Sequence, residues 1–352
     1  MTLYIGVDFH PHQQTISWCD SQTGETETFD LKHDLERVRE FYSSLPGSAV
    51  VGIEASAKAT WFEDMLFENG HKLLVGNPVL IRKRATSRHK NDRRDAELIL
   101  ELLMKNEFPA IWRRPRESDQ VIEIVALRHK LVRQRIQVYN RLQSLALNAG
   151  LPKGRAKTQK FQKLIKQVEM NEAARLARSQ YFALLVSLDE RIAELEQWLR
   201  TKVSDNKVQL LMSQKGVGYL TALLTVHTLG DVNRFKRVSK EVVSYAGLDP
   251  LEKSSAGKVR FGSISKAGSP VLRHHLGQAI MTATRYDPRL KTFYKRLAKK
   301  KPRALAKTAS ARKLLVKLAI MLRDNINADE FDRRGRTAVM PEEIAGSEMT
   351  AA

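Results

Sequence analysis

Leu3-Tyr4-Ile5-Gly6-Val7-Asp8 and Ala49-Val50-Val51-Gly52-Ile53-Glu54 are two apolar runs of matching design, each holding one glycine and each ending in a carboxylate. Short continuous apolar runs of this kind read as buried strands. Working outward, Gln14 to Cys19 and Thr26 to Leu31 read as two further strands, joined by turn residues such as Gly24. Asp34 to Ser44 reads as a helix, Trp61 to Asn69 as another, and Lys72 to Val75 as a strand. A helix containing Leu80, Ile81 and the basic cluster beyond them completes the region. Three strands, helix, strand, helix, strand, helix is an α/β order that predicts a mixed sheet with helices on its faces.

In that arrangement Asp8 leaves the first strand and Glu54 leaves the fourth, and the two side chains converge if those strands are neighbours. Two more acids sit in Lys90-Asn91-Asp92-Arg93-Arg94-Asp95-Ala96, three residues apart, and so share a face of a helix. Four clustered carboxylates repel unless a cation lies among them. Asp8, Glu54, Asp92 and Asp95 are therefore expected to hold Mg²⁺, as one ion or two, with Mn²⁺ as a substitute. Two ions bridged by carboxylates orient a nucleophile and stabilise the leaving oxygen of a phosphodiester. His10 and His12 flank Asp8; beside a site that favours oxygen they are expected to contact phosphate or line the turn. A plainer reading of Asp95 is the N-cap of the helix running to Leu103. Glu54 resists such a reading, because it ends a run that looks buried.

Charge points the same way. The chain has 352 residues, long enough for two or three domains, and 60 Lys and Arg against 39 Asp and Glu, a net charge of +21. That excess favours phosphate backbones. No apolar run is long enough to span a bilayer and no signal peptide precedes Asp8, so no membrane partner is expected. The single cysteine, Cys19, excludes an internal disulfide framework and reads as a strand residue. A cytoplasmic or nucleoid-associated protein is expected.

Residues 1–112 form the metal-binding domain in this reading, and the character then changes. Residues 113–205 read as a coiled-coil connector: Leu185, Leu188, Ile192, Leu195 and Leu199 follow 3-4-3-4 spacing, while Ile124, Leu127 and Leu131, then Val138, Leu142 and Leu145, make a second seam. A basic link from Gly150 to Lys160, with Pro152 and Gly154, joins them. An antiparallel hairpin, a dimerisation arm, or both satisfy this pattern. Residues 206–325 read as a mostly helical domain that opens with Gly216-Val217-Gly218. Such a junction is either a tight helix turn or a place where backbone amides approach a phosphate. Arg289 to Arg323 holds thirteen Lys or Arg and no acid, with a helix on either side of Pro302. It reads as a surface that tracks phosphates rather than a merely solvated face. Residues 326–352 are expected to form an acidic, disordered tail.

These residues resemble a known family. Ile5-Gly6-Val7-Asp8-Phe9-His10, Gly52-Ile53-Glu54-Ala55-Ser56 and Lys90-Asn91-Asp92-Arg93-Arg94-Asp95-Ala96 are similar to the Asp-Glu-Asp-Asp motifs of insertion-sequence 110 family transposases. Further on, Gly216-Val217-Gly218, Tyr245-Ala246-Gly247-Leu248-Asp249-Pro250, Ser254-Ser255-Ala256-Gly257-Lys258, Ile264-Ser265-Lys266-Ala267-Gly268-Ser269-Pro270 and Leu272-Arg273 follow that family's C-terminal order. The resemblance covers roughly residues 2–285. It implies a ribonuclease-H-like domain resembling Holliday-junction resolvases, a coiled-coil connector, and a helical transposase domain with a nucleophilic serine. The serine aligns with Ser254, Ser255 being the close alternative; Ala256 stands where the family has glycine.

The resemblance further implies a bacterial or archaeal recombinase of an insertion sequence that exchanges donor and target DNA, chosen by a structured guide RNA, and works as a dimer or tetramer. Lys258, Arg260, Lys266 and Arg273, with Gly216 and Gly218, would contact nucleic acid. His274 and His275 are candidate bases, of which one at most is expected to face the site, since adjacent helical residues point apart. Two other readings compete. One is a metal-dependent endonuclease that hydrolyses branched DNA without a serine intermediate. The other is a basic coiled-coil scaffold with no catalysis.

Overall fold

The computed structural model describes residues 3–55, 60–85, 91–252 and 261–337. The chain divides between Arg113 and Arg114 into two compact units.

The first unit runs β1 (Leu3–Phe9), β2 (Gln13–Asp20), β3 (Thr26–Lys32), α1 (Leu35–Ser43), β4 (Ala49–Glu54), α2 (Thr60–Glu68), β5 (Lys72–Gly76), α3 (Pro78–Arg82) and α4 (Asp92–Met104). The sheet order is β3-β2-β1-β4-β5. β1 pairs antiparallel with β2 and β2 with β3, while β1–β4 and β4–β5 are parallel. β1 and β4 are thus neighbours, in a register that sets Gly6 against Gly52 and Val7 against Ile53.

Strand alternation sorts these residues between two faces. Leu3, Ile5, Val7 and Phe9 join Val51, Ile53, Tyr42, Phe62 and Leu66 in one core, beneath α1 and α2. Tyr4, Val50 and Leu74 face the other way and pack with Ile99, Leu102 and Leu103 of α4. Between them lie the paired glycines. A methyl built on Gly6 would collide with the backbone of Ala96 and Leu100, and one on Gly52 with the side chains of Ile99 and Leu103. Two missing side chains therefore let α4 lie directly on the sheet, its first turn at the carboxyl ends of β1 and β4.

The helix expected to run from Leu80 through the basic cluster is instead two helices. Asn77 caps α3 by accepting from the amides of Val79 and Leu80, and the helix ends at Arg82. Asn91 caps α4, accepting from the amide of Arg93. Asp95 is thus not the cap; with Asp92 it occupies the first turn, where the exposed amides favour negative charge.

The second unit contains α5 (Arg116–Asn148), α6 (Gln159–Gln167), α7 (Glu172–Thr201), α8 (Asn206–Met212), α9 (Tyr219–Leu229), α10 (Val238–Tyr245), β6 (Pro250–Glu252), β7 (Phe261–Ile264), α11 (Pro270–Tyr286), α12 (Pro288–Lys300), α13 (Arg303–Asp324) and α14 (Ala328–Thr337). α5 and α7 form an antiparallel hairpin, braced by Arg135–Asp189 at 2.6 Å and by Arg128–Glu196. Leu185, Leu188, Ile192 and Leu199 are buried along its seam. On α5 the buried residues are Val121, Val125, Val138, Leu142 and Ala146, whereas Leu127 is exposed. Of the expected seam near the start of α5, Ile124 and Leu131 pack against the cores and only Leu127 departs. α6, which begins where the expected link ends, folds over the hairpin tip with Phe161 and Ile165 buried against Leu142, Ala146 and Leu185.

The base of the hairpin merges into the helical core, where Val121, Val125 and Leu199 pack with residues of α8 to α11 and α13. α9 is apolar around most of its circumference and buried from Thr221 to Leu229, as a central helix must be. α12 and α13 flank Pro302 as expected. The segment expected to be disordered from 326 is helical across Ala328–Thr337. Its acidity is used rather than solvated: Asp332 lies 2.7 Å from the buried ammonium of Lys317, which also meets Asp287 at 3.1 Å. Phe331 packs against the core beside them.

Candidate metal centre

Asp8 is the penultimate residue of β1, the central strand of the sheet, with its side chain 13% exposed. Because Val7 pairs with Ile53 in parallel register, Asp8 and Glu54 come next on the same face. That is the face on which α4 lies, and α4 brings Asp92 and Asp95. His10 follows at the start of the β1–β2 turn, its amide donating to the Gln13 carbonyl at 2.9 Å. Its Nε2 lies 3.1 Å from Asp8 Oδ2 and 3.8 Å from Asp92 Oδ1. Asp8, His10 and Asp92 each offer a ligand atom within 4.8 Å of the others, the one such group of three among the described residues.

Burial raises the Asp8 carboxyl above its ordinary range; His10 opposes this, while the charges of Asp92 and Asp95 reinforce it. Asp95 therefore acts on Asp8 through its field. Glu54 stands in register beside Asp8 but outside the tight group of three. Oxygen donors from two acids, an imidazole nitrogen and a local excess of negative charge are a donor set that fits a divalent cation. Sequence reasoning placed His10 at the turn or on a phosphate. The structure places its ring between two carboxylates, and the signal available was its position two residues beyond a strand-end aspartate.

The second region is built around the β6–β7 hairpin. Pro250 pairs with Ile264 and Glu252 with Phe261. Ser254, Ser255, Lys258 and Arg260 belong to the stretch joining these strands and lie outside the described residues. Below it the chain is tightly crossed. Gly247 has φ +66°, and a side chain there would strike the backbone of Lys266, Ala267 and Gly268. The Lys266 amide donates to the Gly247 carbonyl at 3.1 Å, the Ser265 amide to the Asp249 carbonyl at 2.8 Å, and the Ser265 hydroxyl to the Asp249 carboxylate. Lys266 itself is exposed. Arg273 donates through Nη1 to the carbonyls of Ala246, at 3.1 Å, and Gly268. It staples the two ends of the hairpin together.

Gly216, at φ +97°, packs against the backbone of Ala283 in α11, and Gly218 opens α9. Their junction is a close helix contact. The two histidines of α11 do not diverge as expected: the ring of His274 lies 4.6 Å from that of His129 on α5, and the ring of His275 lies 5.9 Å from it. Burial, with the neighbouring His274, His129 and Arg128, pushes His275 down to about 4.

Two family models match the chain. Residues 5–149, which contain Asp8, Glu54, Asp92 and Asp95, match a transposase model of the Asp-Glu-Asp-Asp IS110 type. Residues 208–295, which contain the β6–β7 hairpin and Arg273, match the transposase IS116/IS110/IS902 family. The chain belongs to the IS110 family of transposases.

Relatives bear the same label. A protein of Pseudomonas aeruginosa named "Probable family 20 transposase" is 29% identical over 248 residues, covering 67% of this chain and 71% of that one. The transposase for insertion sequence element IS1328 of Yersinia enterocolitica is 27% identical over 284 residues, covering 78% and 81%. The transposase for insertion sequence element IS1111A of Coxiella burnetii is 30% identical over 192 residues, covering 53% and 52%. An IS110-family transposase is a DNA-processing protein of transposition, and its Asp-Glu-Asp-Asp domain implies the use of divalent metal. The mixed sheet with helices on both faces is consistent with a ribonuclease-H-like domain in this IS110-family member. No helix among its described residues is long and apolar enough to cross a membrane.

Proposed function

We propose that this transposase exchanges DNA strands through a serine–phosphate intermediate, with Mg²⁺ at the carboxylate centre and a structured guide RNA selecting donor and target. The observation that carries this reading is the convergence of Asp8, Asp92 and His10, with Asp95 and Glu54 beside them, at the strand ends of a family-matched domain. A simple nucleic-acid scaffold has no use for acids gathered where a phosphate backbone would approach, which disfavours the non-catalytic reading.

In this scheme the Ser254 oxygen, or Ser255 in its place, attacks a DNA phosphorus. An Oγ–P bond forms, one P–O ester bond breaks, and the serine proton ends on the departing deoxyribose oxygen. The ester energy is kept in the phosphoserine link, so that a hydroxyl of a second strand can reverse the step and join a new partner. Lys258, Arg260 and Lys266 neutralise charge that grows on the phosphoryl oxygens. Arg273, engaged with the carbonyls of Ala246 and Gly268, holds the hairpin ends that carry the serines. A divalent ion at the carboxylates supplies further neutralising charge when bound. Residues 113–205 serve as the connector and assembly arm, and residues 206–325 as the serine-bearing domain, in a dimer or tetramer.

The test is a denaturing gel of protein incubated with donor and target DNA, the RNA transcribed beside the gene, and Mg²⁺. Wild type is expected to give a covalent protein–DNA band that is lost in the Ser254→Ala, Ser255→Ala double variant and in Asp8→Asn. Cleavage without any covalent band, and undiminished in the double serine variant, would replace this reading with metal-dependent hydrolysis of branched DNA. Activity independent of added RNA would remove the guide.

A further inference from the structure

We propose that His10 is a ligand of the metal centre through Nε2, making it a mixed nitrogen–oxygen site that prefers Mn²⁺ to Mg²⁺. The inference rests on the metal-centre reading above and adds to it a donor outside the four acids.

Geometry comes first. Around a six-coordinate ion with bonds of about 2.1 Å, neighbouring donors lie about 3 Å apart and opposite donors about 4 Å apart. His10 Nε2 stands 3.1 Å from Asp8 Oδ2 and 3.8 Å from Asp92 Oδ1. The imidazole nitrogen therefore occupies the same space as the two carboxylate oxygens and keeps the spacing of fellow ligands. Its backbone is anchored by the hydrogen bond from its amide to the Gln13 carbonyl in the β1–β2 turn, so the ring is held from a fixed strand end. Glu54, by contrast, is not part of the close group.

Chemistry then selects the ion. Mg²⁺ takes oxygen donors, keeps much of its water and rarely accepts imidazole. First-row transition ions accept imidazole readily, and Mn²⁺ among them also suits carboxylates and six-fold geometry. The ring nitrogen that faces Asp8 and Asp92 is Nε2, so a bound ion would be offered a nitrogen where an oxygen-only site would have a water. A His10 that merely orients Asp8 from outside would leave the ion's inner sphere wholly oxygen.

Pulsed electron paramagnetic resonance of Mn²⁺ bound to the full chain separates these cases without reference to activity. We expect nitrogen modulation from a directly bound imidazole in wild type and in His12→Gln, and none in His10→Gln. Competition titrations should give Mn²⁺ an advantage over Mg²⁺ of about tenfold or more in wild type, largely lost in His10→Gln. Saturable Mn²⁺ binding with no nitrogen modulation in wild type would overturn the role of His10 while leaving the carboxylate centre standing. Absence of saturable binding of either ion, with Asp8→Asn indistinguishable from wild type, would overturn the centre itself and His10 with it.

Discussion

Gly6 of β1 pairs with Gly52 of β4, and helix α4 rests on both. The pair bears on how closely Asp92 and Asp95 approach Asp8, because a side chain at Gly6 would meet the helix backbone and one at Gly52 the side chains of Ile99 and Leu103. The carboxylate cluster is therefore built by two residues that have no chemistry of their own.

A substitution at the first of them should be felt in stability. Gly6→Ala meets backbone of α4, which cannot rotate away, so overpacking of about 1–3 kcal/mol is expected. Gly52→Ala meets only the ends of Ile99 and Leu103 and should cost less. Denaturant unfolding of the two variants beside wild type checks the order; equal losses would contradict the close approach at Gly6.

Asp8 makes the metal-free fold pay for its site. Its carboxyl titrates above the ordinary value when folded, through burial and the nearby Asp92 and Asp95. The unfolded chain gives up that proton first, so stability falls as pH rises from the ordinary value through the raised one. Asp8→Asn should therefore raise the melting temperature of chelator-treated protein at pH 7 while abolishing strand exchange. In wild type, divalent ion at a hundred times its Kd should add about 2.7 kcal/mol, and a lower melting temperature in Asp8→Asn without metal would contradict this account.

Lys317 is buried with Asp287, and Asp332 of α14 completes its partners. Lys317→Met leaves Asp287 buried without its cation and should destabilise the second unit by about 3–5 kcal/mol. Converting Asp287 to Asn in the same chain should recover part of that loss. Chemical unfolding of the single and double variants tests the coupling.

Lys291, Lys295 and Lys299 are exposed and stand four residues apart on α12. Like charges at that spacing weaken a helix slightly, and Lys291 sits near the N-terminus, where the macrodipole opposes it. Replacing all three with Gln should flatten the plot of log affinity for DNA against log salt by about 2 to 3. An unchanged slope would mean that DNA lies elsewhere.

His275 should make the second unit acid-sensitive. Its folded value of about 4 lies below the ordinary 6.5, so the unfolded chain binds the extra proton as pH falls between these values. Stability is full above about 6.5 and declines toward 4, by at most about 3 kcal/mol. His275→Leu should flatten that decline in melting curves taken from pH 7.5 to 4.5.

Much of this was written plainly in the chain. The strands at Leu3 and Ala49 announce themselves by unbroken apolar content, and their terminal acids by the abrupt change. What escaped was set by contacts distant in sequence. The break between α3 and α4 is marked by the Asn91 cap, inside a stretch whose charge suggested continuity. Leu127 fits the heptad spacing better than Val125, yet the core that receives α5 selects Val121 and Val125. Helix α6 follows Pro152 and Gly154, and only the hairpin tip gives Phe161 and Ile165 something to cover. Asp329 to Asp332 read as solvated acid because Lys317 lies in another helix. The nearness of the His10 ring to Asp92 was hidden because Asp92 lies on a helix some eighty residues away in sequence.

The placement of α4 also bears on synthesis. Asp8 and Glu54 leave the ribosome long before Asp92 and Asp95, so no partial product ending in the first strands owns a complete set of acids. The four acids come together only once the helix ending at Met104 has emerged and settled over Gly6 and Gly52. The serine-bearing stretch is still some 150 residues from being made. A nascent chain, or one truncated by a stop codon between the two regions, would thus carry its four acids without Ser254 and Ser255.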